Sequence, residues 1–149
     1  MKIKTVFKAL ALAMTASVFS LMLAGALKAQ ESQVERGKYL VGVAGCNDCH
    51  TPGYFLGKPD FSKALSGSEV GFEIPGLGVF HGSNLTPDKD TGLGSWTKQQ
   101  IITAFTNGKR PDGRELAPAM PWRGYASLRP EDTDAIASYL MSLAPTANK

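Results

Sequence analysis

The sequence predicts an all-α domain with few helices and long loops. Helical signals fall in three stretches, namely residues 31–45, 97–107 and 130–143. From Thr51 to Gly94 glycine or proline recurs every few residues, and only the stretch 72–80 has the pattern of a short β-hairpin, around Pro75-Gly76. Loops of this length are uncommon in a compact domain unless they have a functional role.

The first predicted helix runs from Glu31 to Gly45. Acidic residues at positions 31 and 35 favour the positive end of the helix dipole. Gly37 and Gly42 are poor helix residues, and each costs about 1 kcal/mol relative to alanine. We therefore expect another backbone to pass close to both glycines.

The middle and last helices have clear boundary signals. Thr97 with Gln100 predicts a capping box, and Gly108 predicts the end of the middle helix. Pro130 suits the first position of the last helix, which we expect to extend to Leu143. Its buried face repeats at helical spacing and comprises Ile136, Tyr139, Leu140 and Leu143.

The N-terminus has the pattern of a secretory signal peptide. A start containing three lysines precedes a long apolar stretch, and small residues then cluster near Ala26 and Ala29. We expect a signal peptide over residues 1–29, cleaved after Ala26 or Ala29, and a single mature domain over 30–149. An uncleaved membrane anchor is the alternative, because the apolar stretch approaches membrane-spanning length. The expected location is the bacterial periplasm.

The charge of the mature chain is near zero. The full sequence has 16 Lys and Arg against 13 Asp and Glu, but three of the lysines lie within residues 1–26. Cleavage after Ala26 would therefore leave 13 basic and 13 acidic side chains, and cleavage after Ala29 would leave 12 and 13. Such a balance does not indicate nucleic-acid binding.

The candidate site is the segment Cys46-Asn47-Asp48-Cys49-His50, which reads Cys-x-x-Cys-His. This pattern is the signal for covalent attachment of a c-type haem. Two thiols one helical turn apart can form thioethers with the two vinyl groups of a porphyrin. The imidazole that follows the second cysteine can then bind the iron as its proximal ligand. We expect Cys46, Cys49 and His50 to bind one haem c in this way.

Two other uses of these residues stay open at this point. Cys-x-x-Cys alone also occurs in thioredoxin-like redox sites. Zinc is the second alternative, since Cys46, Cys49, His50 and His81 would supply four ligands. The sequence has two cysteines and two histidines, so this reading would require all of them. Export, a suitably placed methionine and a core that is thin without a cofactor favour haem.

The expected second axial ligand is Met120. It lies between Pro118 and Pro121, in a stretch too stiff for a helix or a central strand. Met141 falls inside the last helix and off its apolar stripe, where its sulfur would be badly placed for iron. His81 is the third candidate.

The order of these features resembles class I cytochrome c over about residues 35–143. Three further segments are similar to the cytochrome subunits of bacterial membrane-bound alcohol and gluconate dehydrogenases, namely residues 83–88, 91–97 and 119–122. Those subunits carry three haem motifs, and this chain resembles one repeat of them. The resemblance implies the class I cytochrome c fold wrapped around one covalently bound haem. It also implies that the first and last helices cross at Gly37 and Tyr139.

The resemblance further implies the role of each site residue and of the protein. Cys46 and Cys49 would be the thioether anchors, His50 the proximal ligand and Met120 the distal ligand. The chain would be an electron carrier and not an enzyme, with a periplasmic dehydrogenase as donor and a terminal oxidase or membrane cytochrome as acceptor. We expect no nucleic-acid partner, and membrane contact only through partners. The alternative function is a haem enzyme with an exchangeable sixth ligand, such as a small peroxidase or sulfur-compound oxidase.

Overall fold

The computed structural model describes Met22, Gly25 and residues 28–148. The chain divides into two compact units, Met1–Ser32 and Gln33–Lys149, and the fold below is that of the second. Most of the expected signal peptide, including Ala26, lies outside the described residues. Within the described part of the chain, no helix is both long and apolar enough to cross a membrane.

In this unit the first helix, α1, covers residues 33–43 and ends two residues before the predicted boundary. A turn at residues 44–45 separates it from α2, Cys46–His50. Gly45 has φ 70°, a left-handed conformation that glycine adopts without strain. Because this turn ends α1 just before Cys46, the Cys-x-x-Cys-His segment forms a short helix of its own.

The long loop that follows contains two 3₁₀ turns, Tyr54–Leu56 and Phe61–Lys63, and one hairpin. The hairpin joins β1, Gly71–Ile74, to β2, Gly78–His81, in antiparallel register with Phe72 opposite Phe80. The predicted hairpin is therefore confirmed.

Three helices complete the domain. They are α3 (Lys98–Asn107), α4 (Trp122–Tyr125) and α5 (Pro130–Ser142). The Thr97–Gln100 capping box and the stop at Gly108 are both confirmed, and Gly108 has φ 70°. Pro130 occupies the start of α5 as predicted, although α5 ends one residue earlier than expected. The four-residue helix α4 was not predicted.

The core lies where α1, α3 and α5 meet. Its buried apolar residues are Val41, Leu65, Ile101, Phe105, Ile136, Ala137 and Leu140. Tyr139 and Leu143 belong to the predicted stripe of α5 and pack against this cluster from its edge.

Helix α1 crosses α5 at Gly37, as the resemblance implies. A Cβ at Gly37 would lie 2.0 Å from the Ala135 carbonyl oxygen and 2.7 Å from Tyr139 Cβ, so only glycine allows this approach. The parallel expectation for Gly42 is wrong, because none of the described residues lies within 4 Å of a Cβ built there. Arg36 adds an ion pair from α1 to Asp132 of α5, with its Nε 2.7 Å from Oδ1.

The fold class is thus a few helices and long loops with one two-stranded hairpin. Lys98 of α3 reaches α5 through Asp134 at 3.1 Å and Ser138 at 3.0 Å. The helices are therefore joined at the core and by ion pairs at its edge, and the loops between α2 and α3 extend from this frame.

Candidate functional site

The short helix α2 carries three of the four predicted site residues. Cys46 and Cys49 lie one turn apart, and His50 is the last helical residue. Thr51 closes the helix: its buried hydroxyl donates to Asn47 Oδ1 at 2.9 Å and accepts from Leu65 N–H at 3.0 Å. The side chain of Thr51 thereby fixes α2 against the start of the long loop.

His50 is buried, and its ring orientation is fixed by one hydrogen bond. Its Nδ1 lies 2.6 Å from the Ser83 carbonyl oxygen. A carbonyl oxygen can only accept, so Nδ1 carries the proton and Nε2 has a free lone pair. Burial lowers the pKa of His50, while the bond to Ser83 opposes that shift. A neutral imidazole with a free Nε2 is the form that binds a metal ion.

Gly82 allows the Ser83 carbonyl to reach His50. A Cβ at position 82 would lie 1.6 Å from the Cys49 carbonyl oxygen and 3.4 Å from His50 Cα. The loop can therefore contact the backbone of α2 only with glycine at this position. No local pattern predicted this contact, because Gly82 is one of many glycines in the loop.

The two thiols do not have the environment of a redox-active pair. The pKa of Cys46 is raised to about 11, chiefly by burial, with smaller contributions from the Asp48 carboxylate and Cys49. Burial and Asp48 also raise the pKa of Cys49. Catalytic Cys-x-x-Cys sites instead depress a thiol pKa to obtain a thiolate at neutral pH.

Met120 lies in a tight turn that leads into α4. Its N–H donates to the Ala117 carbonyl at 2.9 Å, and its carbonyl accepts from Trp122 N–H at 2.9 Å. The segment is neither helix nor strand, as expected, and its turn leads directly into α4 at Trp122. The side chain of Met120 is half-buried and packs against the core cluster, as does that of Cys46.

Tyr125 ties the methionine turn to the cysteine helix. Its hydroxyl donates to the Ala44 carbonyl at 2.8 Å, two residues before Cys46. Burial raises the pKa of Tyr125, and the nearby side chains of Cys46, Cys49 and Asp48 contribute to the shift. The sequence analysis missed this residue, since a contact across 81 positions leaves no local pattern.

The other two candidate ligands are exposed. Met141 is 46% exposed on α5, and His81 is exposed on β2. In the residues that the structure covers, no three His, Cys, Asp or Glu side chains gather where they could hold a metal ion. The zinc alternative needs Cys46, Cys49, His50 and His81 together, and the fold does not bring them into one cluster.

The residues present fit a haem. His50 offers a lone pair, and the two thiols lie on one turn of helix with its imidazole. The buried Nε of Arg110, whose guanidinium lies over the Trp96 ring, has no hydrogen-bond partner among the described residues. It lies 3.4 Å from Asp112 Oδ2, so it is close to one carboxylate and has a hydrogen to donate. Such a donor suits the carboxylates that a haem carries.

The chain is similar to cytochrome subunits of three bacterial dehydrogenases. It is 35% identical to the fructose dehydrogenase cytochrome subunit of Gluconobacter japonicus over 76% of this chain and 22% of that protein. It is 33% identical to the gluconate 2-dehydrogenase cytochrome c subunit of Pantoea cypripedii over 80% of this chain and 25% of that protein. It is 32% identical to the cytochrome c subunit of the quinone alcohol dehydrogenase of Gluconobacter oxydans over 79% of this chain and 23% of that protein.

This chain thus spans about a quarter of the length of the curated relatives it matches. Residues 34–144 match the family described as Cytochrome c, and this range contains the helix α2, the long loop, the methionine turn and α5. The resemblance stated from the sequence is confirmed on this basis. The chain belongs to the cytochrome c family, whose members bind haem c covalently through cysteines and transfer electrons.

Proposed function

We propose that this chain is a periplasmic electron carrier with one haem c, attached through Cys46 and Cys49 and bound axially by His50 and Met120. It would accept single electrons from a dehydrogenase and pass them toward the respiratory chain, to a terminal oxidase or a membrane cytochrome. The haem supplies the one-electron couple between ferric and ferrous iron. The side chains of this chain would attach the haem and supply its axial ligands.

The observation that carries the proposal is the state of His50. Burial favours the neutral form of the ring, and the 2.6 Å bond to the Ser83 carbonyl orients it with Nε2 available as a ligand. A histidine ligand whose second nitrogen donates to a backbone carbonyl is oriented and made more basic by that bond. A buried histidine used only for packing would not need a free Nε2.

Met120 is the proposed sixth ligand because its turn is fixed near the cysteine helix. The bond from Tyr125 to the Ala44 carbonyl joins the segment after Met120 to the residues before Cys46. His/Met ligation leaves no open axial position and raises the reduction potential of a haem. Both properties suit electron transfer rather than binding of oxygen or peroxide.

The location and the partners rest on the sequence and the relatives. The pattern over residues 1–29 is that of an export signal, which fits haem attachment in the periplasm. Three of the relatives are cytochrome subunits of fructose, gluconate and alcohol dehydrogenases, which supports a dehydrogenase as electron donor. The one haem motif, Cys46 to His50, would provide one carrier in such a sequence of electron transfers.

The test compares Met120→Ala with Met141→Ala. Met120→Ala should abolish the weak near-infrared band of sulfur-to-iron charge transfer in the ferric protein, lower the midpoint potential and allow carbon monoxide to bind the reduced protein. Met141→Ala is the matched control, because this side chain is half-exposed on α5 and should affect none of these properties.

Three results would count against the proposal. A wild-type spectrum in Met120→Ala, together with its loss in His81→Ala, would move the sixth ligand to His81. Ready binding of carbon monoxide by the wild-type protein would favour a haem enzyme with an exchangeable ligand. A wild-type protein without haem would refute the cofactor itself.

A further inference from the structure

The segment after α5, residues 144–148, lies against the loop that faces His50, and we name it the C-terminal strap. The Thr146 carbonyl accepts from Asn84 Nδ2 at 2.7 Å, and Thr146 N–H donates to Thr86 Oγ1 at 3.1 Å. Asn84 is 5% exposed and Thr86 is 1% exposed, so these bonds are shielded from water. Buried polar groups of this kind are costly to leave without partners.

The strap is connected to the His50 ring through one residue. Asn84 directly follows Ser83, whose carbonyl accepts the Nδ1–H of His50. Asn84 Oδ1 in turn accepts from the backbone N–H and the hydroxyl of Thr86, at 2.9 and 2.7 Å. The strap therefore fixes the conformation of residues 83–86 and with it the direction of the Ser83 carbonyl.

A second connection reaches the backbone of His50. Asn148 Nδ2 donates to the Ser66 carbonyl at 2.7 Å, and Gly67 N–H donates to the His50 carbonyl at 2.8 Å. Gly67 has φ 107°, and a Cβ there would lie 2.5 Å from Asn148 Nδ2. Glycine adopts this φ without strain and leaves room for the Asn148 amide.

We propose that the C-terminal strap is a positioning element for His50 as a haem ligand. The proposal rests on ligation by His50, as set out under the proposed function. The hydrogen bond to the Ser83 carbonyl makes the imidazole a stronger donor, and a stronger donor favours ferric over ferrous iron. Loosening the strap should therefore weaken that hydrogen bond and raise the midpoint potential.

Thr86→Val tests the strap with little change of shape. The variant keeps the backbone and removes the hydroxyl that accepts from Thr146 and donates to Asn84. Thr133→Val is the matched control, because Thr133 is also buried. Its hydroxyl donates to the Pro130 carbonyl, three residues earlier in the same helix, and not to the strap. A second variant ends the chain after Leu143 and so removes the strap.

The exchange of the His50 Nδ1 proton is measured on the reduced holoprotein, and the midpoint potential is measured by redox titration. We expect Thr86→Val to exchange the His50 Nδ1 proton with solvent about tenfold faster than wild type, as the loss of one buried hydrogen bond implies. The midpoint potential should shift upward, the truncated chain should change further in both respects, and Thr133→Val should match wild type in both.

Two results would overturn the proposal, and they are distinguishable. Unchanged proton exchange and potential in Thr86→Val and in the truncated chain, with the His50 ring protons still shifted upfield by the porphyrin, would refute the role of the strap alone. Wild-type ring protons without that upfield shift would refute ligation by His50, and the positioning role would fall with it.

Discussion

Gly82→Ala tests the contact that brings the Ser83 carbonyl to His50. An added Cβ would lie 1.6 Å from the Cys49 carbonyl oxygen, whereas Cβ contacts below 3.0 Å essentially do not occur. The loop must therefore move away from α2 by about 1.4 Å. The bond from His50 Nδ1 to Ser83, now 2.6 Å, would lengthen to about 4.0 Å and be lost.

The expected cost is that of a buried donor without its acceptor. Leaving such a group unsatisfied costs about 1–3 kcal/mol, and the displaced loop adds to this amount. A glycine-to-alanine change without a clash would have the opposite sign, because it reduces the entropy of the unfolded chain by about 0.4–1 kcal/mol. A lower free energy of unfolding would therefore indicate the lost contact, and a higher one would indicate only the general effect of alanine.

The assay is denaturant unfolding of the holoprotein, together with its midpoint potential. Gly42→Ala is the control, since Gly42 lies in a helix and a Cβ there would have no neighbour within 4 Å in the part of the chain that the structure describes. We expect Gly82→Ala to lower the free energy of unfolding and raise the potential, and Gly42→Ala to raise the free energy of unfolding with an unchanged potential. An equal or greater stability of Gly82→Ala would refute the geometric reasoning.

Three further changes test the frame around the site. Gly37→Ala should destabilise the protein by at least about 2 kcal/mol in thermal unfolding, because its Cβ meets a backbone carbonyl of α5 at 2.0 Å; a stabilised variant would disprove the helix crossing. Asp132→Asn should be less stable than wild type at pH 7. The hydrogen bond from Arg36 holds the pKa of Asp132 below its usual 3.8, so this difference should shrink as the pH falls below about 4, and a constant difference would contradict it. Tyr125→Phe should cost about 0.5–1.5 kcal/mol and speed the displacement of the sixth ligand by imidazole, and unchanged displacement would argue against the tether.

The sequence predicted the features whose causes are local. The capping box at Thr97 and the helix end at Gly108 depend on residues within one or two turns. The hairpin around Pro75-Gly76 was likewise readable from adjacent residues. The positions of Cys46, Cys49 and His50 on one helix followed from their spacing, since three or four residues make one turn.

The sequence could not predict the contacts made across long separations. Gly37 and Gly42 are both glycines inside the first predicted helix, yet of the two only Gly37 contacts α5. Tertiary packing decides which face of α1 crosses another helix. The role of Gly82 and the bond from Tyr125 depend on segments 33 and 81 positions apart. The C-terminal strap carries no helical or strand pattern, and only its partners identify it.

The central claim is one haem held covalently by the cysteines of α2, and the most direct measurement is the mass of the denatured protein from periplasmic expression. The account predicts one haem per chain after unfolding, located on the peptide that contains Cys46 and Cys49, with Cys49→Ala retaining at most one thioether. A denatured chain with unmodified cysteines, or a haem released on unfolding, would contradict it.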